Sequence, residues 1–373
     1  MSTPSPLTVP PNHLPWLDWC RFLAAFVVVM VHARAFTFAS YGSIDADQQH
    51  WITAAFYMAT RIGTQGVLVF FVLSGFLVGG KAIERFRDGT FRLGEYTIDR
   101  LSRIGVPFVP VLIFTAIVAH VTEMETAKQG LFFGNLLFFQ GILVEPYPSN
   151  EPLWSLSYEV WFYILAGACC FTRQKNSGFL RRMLIIIAAL CVFTILKPVY
   201  LLCWLLGALA WVRRPQKFGW GGLVTGFALA AYGMIGIQIY SEAQTATINQ
   251  AVSRYSGYFV SSDTAQLLFC SGFALIIQQL ILIQPKGNVL RQIEAYGTRL
   301  AAFSYTLYLI HNPILHILRW VGLSREKQFN TQSIIYFCGS ILLCMFAAML
   351  FYFLFEKQTN QVRLWLKKRI VKV

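Results

Sequence analysis

The residues of this 373-residue chain that are best suited to chemistry are a few ionisable side chains inside strongly apolar segments. Ionisable groups are costly within a bilayer, so each is a candidate functional residue that is expected to face the interior of a helical bundle. Arg21 and His32 lie in the first apolar segment, eleven residues apart. Eleven helical steps complete three turns plus about 20°, so both side chains lie on one stripe, separated by about 16 Å. One helix therefore presents a fixed cation near one membrane face and a titratable base near the other.

Both residues also have simpler structural explanations, which stay open. Arg21 could extend to the lipid headgroups or pair with Asp18 one turn earlier. His32 could be a buried histidine that is hydrogen-bonded to a neighbouring helix. Glu159 favours a functional role, because it lies about two turns inside a later apolar segment, at nearly the depth of His32. A carboxylate orients an imidazole and raises its basicity, so we expect Glu159 to pair with His32.

His311 lies near the middle of the ninth apolar segment, shortly before Pro313. A catalytic role and a structural hydrogen bond at a proline-kinked site are both open for it. His316 follows about 140° further around the helix, so the two histidines do not share a face for metal binding. The eight Cys residues fall in apolar stretches without a CxxC pair, which favours small buried hydrophobic residues over disulfides or metal ligands. The sequence therefore predicts no metal site.

The composition identifies the elements that must position these residues. Hydrophobic residues make up 56% of the chain and charged residues only 13%, which is about half the charged fraction of an ordinary soluble domain. This is too little charge to cover soluble domains, so the composition excludes a cytosolic enzyme, a secreted disulfide scaffold and a disordered chain. The aromatic content of 16% is typical of membrane helices with interfacial aromatic belts. The sequence predicts a multi-pass protein of the inner or plasma membrane, in contact with lipid.

Apolar segments of about 20 residues, long enough to cross a bilayer as helices, define the predicted architecture. We predict an all-α membrane helical bundle with about ten transmembrane helices, in which Lys197 and Pro198 form a turn between two short spans. With both termini cytoplasmic and residues 129–144 not crossing, most of the 31 Lys and Arg residues lie inside, as the positive-inside rule requires. The net charge of +14 is then explained without nucleic acid. The predicted spans are residues 16–37, 62–80, 104–122, 152–172, 183–196, 199–212, 218–241, 264–285, 300–318 and 328–355.

The predicted domain organisation is one membrane domain with two short extensions. Residues 1–15 form a cytoplasmic lead, residues 16–355 the transmembrane domain, and residues 356–373 a basic cytoplasmic tail. Residues 129–144 are apolar but short, which is typical of a re-entrant or interfacial segment. The sequence leaves assembly into a homo-oligomer open.

Five blocks of residues, in order along the chain, resemble the acyltransferase-3 family of membrane O-acyltransferases, which includes the O-antigen and exopolysaccharide O-acyltransferases. The first block contains Asp18, Arg21 and His32 and has the Arg-x10-His spacing of that family. The other blocks are FFVLSGFL at 70–77, Arg100 with Arg103 and Pro107, LWSLSYE at 153–159, and SYTLYL followed by HNP within 304–313.

The resemblance implies an O-acyltransferase that moves an acyl group, expected to be acetyl, from cytoplasmic acyl-CoA to a hydroxyl of a cell-surface or lipid-linked glycan. It implies His32 as the catalytic residue and Arg21 as a donor-binding residue. By the same resemblance we expect Arg103 and Ser74 to contribute to the donor site and Glu159 to catalysis. Asp18, Trp154 and His311 are further motif positions.

The chemistry and the class of protein each have an open alternative. A sugar hydroxyl needs a general base to attack a thioester at neutral pH. His32 could deprotonate the hydroxyl directly, with Glu159 orienting the imidazolium, or it could first carry the acyl group as an acyl-imidazole. The alternative class is a transporter or flippase of glycan intermediates, since intramembrane Arg, His and Glu also mark transport pathways. The sequence lacks paired broken helices in corresponding halves, which favours the transferase.

Overall fold

A computed structural model of the protein describes residues 14–124, 129–174, 179–242, 261–284 and 287–370. Within these ranges the regular secondary structure is helical, with two isolated β-bridges and no strand. The all-α class predicted from the sequence is therefore confirmed for the described part of the chain. Most of the predicted lead, residues 1–13, lies outside the described residues.

A π-helical turn, Gly75–Gly80, joins the helices Gly63–Ser74 and Lys81–Arg87 without a break in the chain's helical path. The described helices are α1 (Pro15–Thr37), α2 (Trp51–Ala59), α3 (Gly63–Ser74), α4 (Lys81–Arg87), α5 (Leu93–Val121), α6 (Gln129–Leu136), α7 (Trp154–Gln174), α8 (Phe179–Cys191), α9 (Pro198–Val212), α10 (Trp220–Glu242), α11 (Ser262–Leu280), α12 (Asn288–Ala302), α13 (Ser304–Trp320), α14 (Thr331–Leu354) and α15 (Thr359–Ile370).

Six helical segments among the described residues are long and apolar enough to cross a membrane. Two shorter apolar helices, Met183–Thr194 and Pro198–Val212, lie on either side of the predicted turn at Lys197 and Pro198. Each of the ten predicted spans overlaps at least one helix, whereas ten crossings and two cytoplasmic termini stay predictions. The six long segments are Pro15–Thr37, Trp51–Arg87, Leu93–Val121, Glu151–Cys170, Trp220–Ile239 and Thr331–Ile370.

Two segments differ in detail from the predicted helices. The ninth predicted span, 300–318, is interrupted at Phe303, which separates α12 from α13. The apolar run 129–144 forms only the eight-residue α6, followed by a loop in which Phe138 and Gly141 have positive φ. Eight helical residues cover about 12 Å, well short of a bilayer, so the helix itself cannot cross.

The core is built around α1, which packs against α3, α12, α13 and α14. Glycine makes the closest of these approaches feasible: a Cβ atom on Gly66 would lie 2.6 Å from the carbonyl oxygen of Ala24 on α1. A Cβ atom on Gly75 would likewise clash with the carbonyl oxygen of Trp204 on α9. These contacts hold the segment 63–80, which contains the sequence block at 70–77, between α1 and α9.

Apolar side chains cover the outside of the bundle as well as its core. On α14, for example, Leu342 and Phe346 are exposed, as expected for a helix that is hydrophobic on all faces and spans a membrane. Exposed positions also include Cys169, Cys191 and Cys338. The expectation that every Cys is buried is therefore wrong for these three, because an apolar segment also has a lipid-facing side.

Candidate active site

The polar side chains of the bundle interior form two groups at different depths along α1. The stripe predicted from the Arg-x10-His spacing places one of its two residues in each group. The arginine layer contains Asp18, Arg21, Ser74, Arg100, Arg103, Glu159, Tyr163 and Glu356. The histidine layer contains His32, Glu151, His311, Asn312 and His316.

In the arginine layer, Arg21 is held by a carboxylate on its own helix. Its Nη1 donates a hydrogen bond to Asp18 Oδ1 at 3.1 Å, and Asp18 Oδ2 accepts one from Thr298 Oγ1, also at 3.1 Å. The pairing that the sequence offered as a structural explanation for Arg21 is therefore formed. The Arg21 side chain is nevertheless 36% exposed, so its orientation is fixed while part of the side chain stays accessible.

Arg103 has a partner that the sequence analysis missed. Its Nη1 lies 2.7 Å from Glu356 Oε1, and the Glu356 side chain is only 2% exposed. The other oxygen, Oε2, accepts hydrogen bonds from the hydroxyl of Thr306 at 2.6 Å and from its backbone N–H at 3.3 Å. Arg103 also lies over the ring of Tyr305 and is 45% exposed. The available signal was an acidic residue directly after a long apolar span.

Glu159 lies in the arginine layer rather than beside His32. Its carboxylate accepts a hydrogen bond from the Tyr163 hydroxyl and interacts electrostatically with Arg103, Arg100 and Arg21. The expected pairing of Glu159 with His32 is not formed. The reason is the position of the two residues along the helix axis. Glu151, directly before α7, is the residue at the level of His32, and Glu159 lies about 12 Å further along the chain.

Ser74 joins the arginine layer through Tyr163. The Ser74 hydroxyl lies 3.3 Å from the Tyr163 hydroxyl and accepts a hydrogen bond from Trp204 Nε1 at 3.2 Å. A chain of hydrogen bonds therefore runs from Trp204 through Ser74 and Tyr163 to Glu159. The sequence analysis assigned no role to Tyr163, and in the structure its hydroxyl orients the carboxylate of Glu159.

A cavity of about 280 Å³ opens between α5 and α7 beside the arginine layer. Its walls are mostly apolar and include Ile104, Phe138 and Ile164, whereas Arg100 and Tyr163 are polar members of the lining. The Arg100 guanidinium lies over the Tyr163 ring, 5.7 Å from its centre. The cavity thus has mostly apolar walls and reaches the arginine layer at Arg100 and Tyr163.

In the histidine layer, the rings of His32 and His311 pack together with their centres 5.1 Å apart. His311 is fully buried, and its Nδ1 lies 2.7 Å from the carbonyl oxygen of Tyr308. A carbonyl oxygen only accepts hydrogen bonds, so Nδ1 carries a proton, and in the neutral imidazole Nε2 keeps a lone pair. Nε2 is buried without a hydrogen-bond partner among the described residues. The ring of His311 therefore carries a buried acceptor nitrogen and packs against the half-buried His32.

The carboxylate of the histidine layer is Glu151, another residue that the sequence analysis missed. Its Oε2 accepts a hydrogen bond from Asn312 Nδ2 at 2.6 Å and lies 3.8 Å from His316 Nε2. Glu151 also interacts electrostatically with His32. It directly precedes Pro152 at the start of a predicted span, and that boundary position was the available signal.

Trp154 belongs to neither layer. Its ring packs against Tyr158, Tyr200 and Phe71, with ring centres 5.4 to 6.4 Å apart. This aromatic cluster ties α7 to α3 and α9. Within the described ranges, no group of three or more His, Cys, Asp or Glu side chains is placed to hold a metal ion.

The arrangement can hold an anionic group at one end of α1 and can remove a proton at the other end. Residues 14–353 match the acyltransferase-3 family model, which is described as an acyltransferase domain. The chain belongs to the acyltransferase-3 family. Comparison with curated proteins and with solved structures gives no match. The family predicted from the five sequence blocks is thus confirmed, and the apolar helices identify a membrane acyltransferase.

Proposed function

We propose that this acyltransferase-3 protein transfers an acyl group, expected to be acetyl, from acyl-CoA at the arginine layer to a glycan hydroxyl at the histidine layer. The observation that carries the proposal is the placement of Arg21 and His32 in different polar layers along one helix, about 16 Å apart. With both termini in the cytoplasm, the arginine layer is on the cytoplasmic side and the histidine layer on the outer side. Donor and acceptor then enter from opposite faces of the membrane.

The arginine layer has the chemistry to bind the phosphate groups of a CoA thioester. Arg21, Arg100 and Arg103 all interact electrostatically with one carboxylate, Glu159, and guanidinium groups bind phosphate oxygens in bidentate geometry. The ion pairs with Asp18 and Glu356 fix the directions of Arg21 and Arg103 and leave both partly exposed. Binding of the CoA phosphates to these preoriented guanidinium groups would direct the thioester along α1 toward His32.

The histidine layer has the chemistry to activate a hydroxyl. His32 would accept the hydroxyl proton as the oxygen attacks the thioester carbonyl. Collapse of the tetrahedral intermediate would break the carbon–sulfur bond, and the imidazolium would return its proton to the leaving thiolate. The unpartnered Nε2 of His311 would orient His32, and the charge of Glu151 would stabilise its protonated form. Direct transfer and an acyl-imidazole intermediate would use these same residues.

The test supplies labelled acetyl-CoA to the purified protein in vesicles, together with methyl glycosides of glucose, galactose, mannose and rhamnose and with extracted surface polysaccharide. We expect alkali-labile labelled ester on at least one acceptor, and His32→Ala should form none while keeping the wild-type elution profile and melting temperature. His120→Ala is the matched control, because His120 is an exposed histidine at the end of α5. Normal turnover by His32→Ala would remove its assigned role, and glycan movement without ester formation would favour a transporter.

A further inference from the structure

Glu151 differs from the other carboxylates of the interior in being held rigidly and yet exposed. It begins a short 3-10 turn, Glu151–Leu153, directly before α7. Asn312, which fixes Glu151 Oε2, is itself buried and also donates to the backbone carbonyl of Ser149 at 3.1 Å. The Glu151 side chain nevertheless remains 61% exposed. By contrast, the carboxylate of Glu356 is enclosed by its partners, as expected for a purely structural ion pair.

The contacts of Glu151 leave most of its side chain exposed beside the histidine layer. Asn312 and His316 both approach the same oxygen, Oε2. The ring of His316 is in turn held edge-on by Phe36, with ring centres 4.8 Å apart. Phe36 lies on α1 one turn beyond His32. The exposed carboxylate is therefore fixed to the same two helices, α1 and α13, that carry His32 and His311.

An ionised carboxylate only accepts hydrogen bonds, so the group that binds it must be a donor. A polyol supplies such donors, because the hydroxyls next to the reacting one are available for recognition. A polar side chain that is held in place before the ligand arrives binds with little loss of conformational entropy. The features of Glu151 are thus those of a preorganised hydroxyl-binding group beside the base.

We infer that Glu151 is an acceptor-binding residue, which positions the glycan by accepting a hydrogen bond from a hydroxyl adjacent to the one that is acylated. The inference rests on the proposed function and adds to it a specificity-determining contact. It predicts that the protein prefers acceptors with a second free hydroxyl next to the reacting one.

The experiment compares wild type, Glu151→Ala and Glu151→Gln on the methyl glycoside that the wild type acetylates fastest and on its monodeoxy analogues. A hydrogen bond to a charged group contributes about tenfold to a hundredfold in binding. We expect Glu151→Ala to raise the acceptor KM by about that factor, with the acetyl-CoA KM unchanged. With the wild type, one deoxy analogue should have an acceptor KM raised by a similar factor. With Glu151→Ala, the same analogue should have the KM of the parent glycoside. Glu145→Gln, an exposed carboxylate in the same loop, is the matched control.

Three results would overturn the inference while leaving the proposed function intact. The first is an unchanged acceptor KM in both variants. The second is an acceptor KM of the wild type that rises equally for every deoxy analogue. The third is a shifted pH–rate profile of the variants with a normal acceptor KM. The last would mean that Glu151 acts on His32 rather than on the acceptor. A wild-type protein that acetylates none of the acceptors would instead overturn the proposed function itself.

Discussion

Two carboxylates of one chain segment, Glu151 and Glu159, lie in different chemical environments although only eight residues separate them. Glu151 is next to histidines and an amide, whereas Glu159 is surrounded by arginines and a tyrosine hydroxyl. A carboxylate among cations helps to set the charge of a donor site, and one beside an imidazole affects the acceptor site. Neutral substitutions at Glu151 and Glu159 should therefore change different kinetic constants.

For Glu159→Gln we expect a loss of activity through the donor. The neutral side chain weakens the electrostatic interactions with Arg21, Arg100 and Arg103. Arg21 and Arg103 keep their ion pairs with Asp18 and Glu356, so we expect Arg100 to lose its orientation and the KM for acetyl-CoA to rise by about tenfold. The measurement is the dependence of the initial rate on acetyl-CoA, together with a pH–rate profile. Tyr163→Phe, which removes the hydrogen bond to the same carboxylate, should give a smaller effect of the same kind. A normal acetyl-CoA KM with a displaced pH profile would instead support coupling of Glu159 to His32.

The junction between α14 and α15 reaches back to the arginine layer. Glu356 begins the 3-10 turn Glu356–Gln358 that joins the two helices. α15 is itself fixed to α5 by Lys367, whose Nζ lies 2.8 Å from Asp99 Oδ1. The first residue of the segment expected as a basic tail therefore supports Arg103 in the interior. This position ties the end of the last long helix to the arginine layer.

Removing Glu356 should destabilise the protein more than removing an exposed carboxylate. Breaking a buried ion pair costs about 3–5 kcal/mol, and we expect roughly 2–3 kcal/mol for Glu356→Ala because Arg103 is partly exposed to screening. Thermal melting in detergent would measure the loss. Glu356→Gln keeps a hydrogen-bond acceptor for Thr306 and should lose less. Glu84→Ala is the control, since Glu84 pairs with Arg214 at 2.6 Å on the surface and should contribute about 0–1 kcal/mol.

At the scale of the whole molecule, the two-layer site requires a defined orientation in the membrane. In the proposed function, the arginine layer binds cytoplasmic acyl-CoA only if the arginine end of α1 is cytoplasmic, and the distribution of Lys and Arg predicts that orientation. The segment 129–144 is decisive for it, because a further crossing there would move most of the basic loops to the other side. The short α6 fits a segment that enters and leaves on one face.

Labelling of single introduced cysteines in intact cells would determine this topology. In a background without native Cys, we expect Glu123→Cys and Glu145→Cys, which flank 129–144 and are exposed, to react equally with a membrane-impermeant maleimide. Thr90→Cys, in the basic loop before α5, should react only after permeabilisation. Opposite labelling of positions 123 and 145 would show that the segment crosses and would reverse the assigned sides for the later helices.

Features that depend on local periodicity were determined by the sequence alone. The stripe that carries Arg21 and His32 follows from helical geometry within one segment. The helical spans follow from the length of the apolar runs, and the break at Lys197 and Pro198 follows from proline stereochemistry. The five ordered blocks identified the family for the same reason, because each is a short local pattern.

Only the tertiary structure decided which side chains of different helices lie at the same depth. Counting turns from the predicted start of a span placed Glu159 level with His32, whereas the packed helices bring Glu151 there. Glu356 and Arg103 meet although 253 residues separate them. Such pairings depend on the tilt and axial offset of neighbouring helices, which are set by packing across close contacts such as that of Gly66 on α3 with Ala24 on α1. Hydrophobicity along one segment carries no information about that offset.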